Sequence, residues 1–270
     1  MAALRPRDIR SLSIGDLTRR VLVGDAPAPQ ILRRLRRDDR AGVRALAVRL
    51  IRREVREARE TARLDGLRAV EAEQRALGFA AIAGVDEVGV APLAGPVVAA
   101  AVVLPADLRL PHLDDSKRLT AEQRDELYPL VVERAEAWAL GMATVEEVDR
   151  LNVLQATRLA HRRAILGLSR RPALVLIDGR YPADVPLPQL VIIDGDATCA
   201  SIAAASIVAK VTRDRLMVQF AATYPQYGFD RHKGYGTRAH REAIDRYGPT
   251  PIHRRSFLPV RFRQEPLSLS

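Results

Sequence analysis

The chain has 270 residues, 47% of them hydrophobic and 28% charged, which supplies a sizeable core and excludes general disorder. A single cysteine, Cys199, excludes an intramolecular disulfide framework and a cysteine-rich zinc site. The longest uncharged stretch, 88–106, is broken by Pro92, Pro96 and Pro105 and reads as a turn and a buried strand rather than a membrane span. With no apolar signal segment at the N-terminus, a cytoplasmic location without a membrane partner is expected.

The net charge of +10 points to a polyanionic partner without saying which. Its distribution says more. Residues 1–76 carry 19 basic against 11 acidic side chains, a net of +8, and the remaining 194 carry +2. Composition thus divides the chain into a basic segment, 1–76, and a nearly neutral one, 77–270.

In chain order, 14–23 is a short apolar segment closed off by Pro27 and Pro29. From 31 to 77 the spacing predicts helix, with apolar residues recurring at Val43, Leu46 and Leu50 and again at Val55, Ala58 and Ala62. Arginines and glutamates fill the other faces, as on a solvated helix, a phosphate-contacting one, or both. After Gly78 the pattern changes. Runs 79–85 and 96–104 suit neighbouring strands of a hairpin, and a third strand is expected near 138–144. A helix follows over about 146–168. Runs 173–177 and 189–193 read as strands apolar on both faces, inside a covered sheet, and a long helix follows over about 200–223. Strands first and then strand–helix alternation point to an α/β or α+β sheet with helices on both sides.

Three strands end or pause in acid. Asp86 and Glu87 follow the first apolar run, Asp178 ends VLIDG, and Asp194 and Asp196 lie in VIIDGD. Each alone reads as an ordinary Asp-Gly turn. Jointly they place carboxylates at one sheet edge, where the crevice of an open α/β sheet lies. Carboxylates crowded there repel unless a cation intervenes, and all-oxygen donors suit Mg²⁺ or Mn²⁺ rather than zinc. Two such ions roughly 3.5–4 Å apart serve phosphoryl-transfer chemistry. The chain also uses 40 arginines and only three lysines, Lys117, Lys210 and Lys233. A lysine retained in that background marks a place for a compact ammonium beside phosphate, or chance. Tyr235 between two glycines presents its ring to a base or sugar, or packs on the core.

These motifs together resemble one family, bacterial ribonuclease HII (type 2 ribonuclease H). The segments are GVDEVG…PLAGPVVAAAVVL (84–104), DDSKRL (114–119), VLIDG (175–179), GDA…SIAAASIVAKVTRDR (195–215), YPQYGFDRHKGYGT (224–237) and YGPTPIHRRSF (247–257). They run in the family's order over about 80–258. The resemblance implies a ribonuclease H-like α/β fold, a mixed central sheet flanked by helices, with 1–76 as a helical N-terminal extension and 77–270 as the catalytic domain with a helical C-terminal part. It implies cleavage of RNA paired with DNA, including single ribonucleotides embedded in duplex DNA, with 3′-hydroxyl and 5′-phosphate products. A monomer is expected. Asp86, Glu87, Asp178 and Asp196 match the family's metal-site acids. Asp194 does not, because the family commonly has lysine there, and Asp214 is expected to pair with a neighbouring base. Tyr235 matches the tyrosine that stacks on sugar beside the ribonucleotide, and Ser116, Lys117 and Lys210 match positions near the nucleic-acid backbone.

One departure stands out. The family carries Gly-Arg-Gly after DEV, and this chain has Gly89-Val90-Ala91. That tripeptide is expected to read the ribose 2′-hydroxyl, the group that separates RNA from DNA, largely through its backbone. Valine removes a multiple donor, and alanine adds a Cβ where a close backbone approach or a positive φ is called for. Weakened ribonucleotide recognition is therefore expected. Taken further, this gives an alternative reading, a hybrid- or DNA-binding protein with poor catalysis. Another Mg²⁺-dependent phosphotransferase is disfavoured by the lack of a P-loop.

Overall fold

The computed structural model describes residues 4–22 and 28–257. The chain divides into two compact units, Met1–Arg63 and Leu64–Ser270, whereas composition alone divides it at 76/77. The first unit holds a 3-10 turn at Pro6–Ile9, α1 (Ile14–Leu22), α2 (Pro29–Arg36) and α3 (Ala41–Leu67) as far as Arg63, the last four residues of α3 belonging to the second unit. The stretch 31–77, expected as one helix, is thus broken between α2 and α3, and again before α4 (Ala69–Ala76). The first break lies at Asp38, whose carboxylate accepts from the Arg40 backbone N–H at 3.0 Å and from its guanidinium at 2.8 Å. Such local bonds compete with the helix. Ile9, Leu17, Ile31, Leu35, Val43, Leu46 and Leu50 form this unit's own core.

The second unit continues with β1 (Ile82–Val88), β2 (Val97–Val103), α5 (Ala121–Arg134), β3 (Ala137–Ala143), α6 (Val145–Leu151) and α7 (Val153–Leu166). Then come β4 (Leu174–Asp178), β5 (Gln189–Ile192), α8 (Gly195–Thr198), α9 (Ala200–Thr223), α10 (Phe229–His232) and α11 (Arg238–Tyr247). The five strands form one mixed sheet in the order β3-β2-β1-β4-β5. β1 runs antiparallel to β2 and parallel to β4; β2 pairs β3 antiparallel, and β4 pairs β5 parallel. This is the expected mixed sheet between helices. None of the described helices is long and apolar enough to cross a membrane.

Three details differ from the sequence reading. β1 runs through the acids instead of stopping before them. β5 is an edge strand with Leu190 38% exposed, so it is not covered on both faces. The helix expected over 146–168 is two, hinged at Asn152, which adopts φ 70° and caps α7 by accepting from the Gln155 N–H at 3.1 Å. α5 begins at a Thr120–Gln123 capping box.

Alternation along β1 positions everything that follows. Asp86 pairs across to Ala100, which packs with α9, while Glu87 pairs to Ala99, which packs on the opposite side with α7 residues such as Ala160. Successive acids therefore face opposite layers. The α9 layer lies very close, because Gly84 has no side chain: a Cβ there would stand 2.2 Å from the Ser201 carbonyl carbon. Gly84→Val should lower stability by about 3 kcal/mol, in the range of severe overpacking, read from the urea midpoint. A midpoint equal to that of the unaltered chain would contradict so close an approach.

Candidate metal centre

Asp86, Asp178 and Asp196 each offer a carboxylate oxygen, all within 4.8 Å of one another. The topology explains the meeting. Val85 pairs with Ile177 in parallel register, so Asp86 and Asp178 follow side by side on the α9 face. Asp196 arrives on α8, directly after the turn that ends β5. All three thus lie at the carboxyl ends of the parallel strands.

Glu87, the fourth acid, stands apart from this group. Its side chain faces α7, where the buried His161 Nε2 lies 2.8 Å from Glu87 Oε2. Asp194 is exposed at the start of α8 with φ 54° and lies outside the cluster.

Little inside the protein compensates the three aspartates. Burial first, and then the charges of Glu87 and Asp178, hold the Asp86 carboxyl well above the usual carboxylate range. Burial and the Asp196 charge raise Asp178 in the same sense, against a 2.7 Å hydrogen bond from the Gly195 N–H. The exception is Lys117, whose Nζ sits 2.6 Å from Asp196 Oδ2. Partial burial lowers its pKa, but the Asp196 hydrogen bond and charge outweigh this and raise it overall. Its side chain is 73% exposed, so this ammonium is a solvent-facing counter-charge and not a buried structural partner. Three hard oxygen donors, crowded and paired only to an exposed lysine, fit a divalent cation.

Around them, Ser206 on α9 hydrogen-bonds Asp86, and its hydroxyl lies 2.7 Å from that of buried Ser116. Ser116 thus touches the centre through Ser206. Lys210 Nζ is paired at 2.8 Å with Asp214, and with Lys233 it lines a cavity of about 700 Å³ that also includes Arg124, Arg215 and Arg231.

The loop after β1 is held by two arginines with no exposed surface at all, Arg213 and Arg254. Arg254 donates to the carbonyls of Gly89, Val90 (2.8 Å) and Gly95 (2.8 and 3.0 Å). Arg213 donates to those of Ala94 (3.1 Å), Pro96 (3.1 Å) and Lys233 (2.9 Å). Burial, reinforced by the Arg213 charge, pulls the Arg254 pKa down to about 9. Because the carbonyls of Gly89 and Val90 face inward, the loop's donors are left over. Among the described residues no backbone acceptor takes the N–H of Val90 or Ala91. Of the tripeptide only Gly89 is left-handed, at φ +92°. Ala91 does not take the positive φ that was one of its two expected penalties, and Val90 and Ala91 are exposed, so their side chains do not strain the fold.

Comparison with known proteins agrees with this geometry. The ribonuclease HII family model matches residues 83–260. A ribonuclease HII of Desulfitobacterium hafniense is 45% identical over 94% of this chain and 97% of its own length. One from Geobacillus kaustophilus is 52% identical over 84% of this chain and 87% of its own. The chain belongs to the ribonuclease HII family. Among solved structures, the ribonuclease H2 of Pyrococcus horikoshii superposes with a TM-score of 0.56 at 26% identity, over 67% of this chain and 96% of its own. Membership makes the protein a metal-dependent nuclease of the ribonuclease H type.

In this ribonuclease HII chain the sequence reading missed His161, Ser206, Arg213, Arg254 and a histidine relay beneath Tyr235. The Thr250 N–H donates to His253 Nδ1 at 2.9 Å, so His253 Nε2–H donates to His240 Nε2 at 3.0 Å. His240 Nδ1–H then donates to the Tyr235 carbonyl at 2.9 Å. His232 accepts from the Gly234 N–H at 3.2 Å and donates to the Tyr227 carbonyl at 2.7 Å. Each ring is neutral in this pattern, and Tyr235 stands above it with its side chain 40% exposed. The histidines of RHKGYG, TRAHR and PIHRR carried the only available signal.

Burial lowers both His240 and His253 to about 4, from an unfolded value of 6.5. Between those values the unfolded chain binds the extra protons, so this contribution to stability falls as pH drops below 6.5. Asp86 and Asp178 shift the other way, so a variant comparison is needed to cancel them. From pH 7.5 to 5, unaltered protein should lose about 2 kcal/mol more than His253→Gln, measured by urea unfolding. Identical pH dependence in both would contradict the neutral relay.

Proposed function

We propose that this chain is an endoribonuclease that cuts the RNA strand of RNA/DNA hybrids and cuts at ribonucleotides embedded in duplex DNA, leaving 3′-hydroxyl and 5′-phosphate ends. The observation that carries the reading is the meeting of Asp86, Asp178 and Asp196 at the ends of parallel strands in a chain of this family. Mg²⁺ or Mn²⁺ ions bound there would activate a water and stabilise the departing 3′-oxygen.

The chain's own residues do the rest. Asp86, Asp178 and Asp196 would hold the cations, Asp86 beside Ser206 and Asp178 accepting from the Gly195 N–H. Glu87, held by His161 on the α7 side of the strand, adds its charge beside Asp86 and would join the cation shell only from that side. Lys117, paired with Asp196 and exposed to solvent, would supply an ammonium to a substrate phosphate. Ser116 and Lys210 lie toward the nucleic-acid backbone, Lys210 in the basic cavity. The loop Gly89-Val90-Ala91 turns the free N–H groups of Val90 and Ala91 to the ribose 2′-hydroxyl, and Tyr235 stacks on the neighbouring sugar.

Support for the active reading over the weakened one comes from the same loop. Backbone donors read the sugar without an arginine side chain, and Ala91 does not occupy a glycine conformation. Duplexes with and without one embedded ribonucleotide should separate the two, with Asp178→Asn as control. The unaltered chain should cut only the ribonucleotide-containing duplex, in a divalent-metal-dependent manner. Asp178→Asn should lose at least 100-fold in rate, on the order of the loss on deleting a key transition-state stabiliser, while keeping its circular dichroism. Equal cutting of both duplexes, or full activity in Asp178→Asn, would refute the assignment.

A further inference from the structure

The N-terminal unit carries 17 arginines against 8 acidic residues, a net of +9, which leaves +1 for residues 64–270. Within it, α3 arranges four of these arginines. Arg49, Arg52, Arg56 and Arg59 are spaced by three, four and three residues, and all are exposed. At about 100° per residue they fall within an arc of about 80°. Val43, Leu46 and Leu50 occupy the opposite side, in the unit's core.

The nearby acids are already engaged. Glu57 pairs with Arg53 at 2.7 Å and Glu60 with Arg63 at 2.8 Å. Among the described residues, none of the four stripe arginines has a carboxylate within ion-pair distance. Four unpaired guanidinium groups on one helix face repel one another and gain nothing for the fold. The ladder is about 15 Å long at 1.5 Å per residue. That length covers about four phosphates of one duplex strand, at about 3.4 Å of axis each.

An anionic membrane surface is the other polyanion of this size. It requires a free apolar face beside the basic one. The main apolar face of α3, Val43, Leu46 and Leu50, is buried with Ile9, Leu17 and Leu35, and the exposed Val48 and Val55 are two valines only, short of the broad apolar face that a membrane surface needs.

We propose that the Arg49–Arg52–Arg56–Arg59 ladder of α3 is a docking surface for the phosphate backbone of duplex nucleic acid, adding affinity without reading sequence or sugar. It rests on the proposed function only in taking a duplex as the partner. Phosphates are common to RNA and DNA strands, so the ladder engages an all-DNA duplex as well as one containing a ribonucleotide.

The test is the dependence of binding on salt, using the full chain and two duplexes that differ by one ribonucleotide. Each phosphate neutralised steepens log K against log salt by about 0.9. Replacing all four arginines by glutamine, a good helix former, should flatten the slope by about 3 to 4 on both duplexes. The four-lysine variant keeps the charge and should restore it. An unchanged slope in the glutamine variant, a change on only one duplex, or failure of lysine to restore the slope would overturn the proposal. Wild-type cleavage of the ribonucleotide duplex is read separately. If cleavage is present and the slope unaltered, the ladder fails alone; if cleavage is absent and the slope flattens as expected, the catalytic reading fails alone.

Discussion

Mutual repulsion among three carboxylates governs the catalytic unit. Asp86 and Asp178 are placed side by side by parallel strand register, and Asp196 is brought to them by the turn after β5. Their oxygens lie within 4.8 Å of one another with one solvent-facing lysine as counter-charge. Burial and the neighbouring charges raise the pKa of Asp86 and of Asp178, so this crowding opposes folding. The sheet maintains the arrangement because Gly84 lets α9 pack tightly on β1, and Ser206 of α9 reaches Asp86. On the proposed reading, the stability given up locally would be returned as affinity for a hard cation.

The same economy appears in the neighbouring loops. Arg213 and Arg254 are buried without a carboxylate partner, a costly arrangement unless every donor is used. They use theirs on carbonyls of the loop after β1 and on Lys233, which joins that loop to the segment carrying Tyr235. Turning carbonyls inward is what leaves backbone N–H groups for a substrate. The histidine relay fixes the Tyr235 backbone from below. The main-chain donors of this loop, which we propose read the ribose, are thereby clamped from behind by side chains.

Much of this was legible from the sequence, and the limits have physical causes. Strand positions followed from apolar runs, and α9 falls at the expected residues because an alanine-rich stretch bounded by Cys199 and Tyr224 leaves few alternatives. The three clustered aspartates were visible because acids at strand ends are visible. What periodicity could not supply was side-chain facing: Asp86 and Glu87 are adjacent in sequence, yet the pleat sends them to opposite layers. His161, Arg213 and Arg254 were hidden because a buried arginine or histidine has the same letter as an exposed one, and only long-range packing decides between them. The break at Asp38 was missed because a local carboxylate–backbone bond overrode helical periodicity. Of the two grounds for a penalty at Ala91, a positive φ and a close backbone approach, the loop lacks the first.

The most direct measurement is the thermal unfolding midpoint of the unaltered chain and of Asp86→Asn, each with and without added Mn²⁺ at pH 8. Relief of repulsion predicts that, free of metal, the variant is at least as stable as the unaltered chain. It also predicts that a hundredfold excess of ion over its dissociation constant stabilises the unaltered chain by about 2.7 kcal/mol and the variant much less. Equal stabilisation of both proteins by the ion, or none of either, would contradict the account.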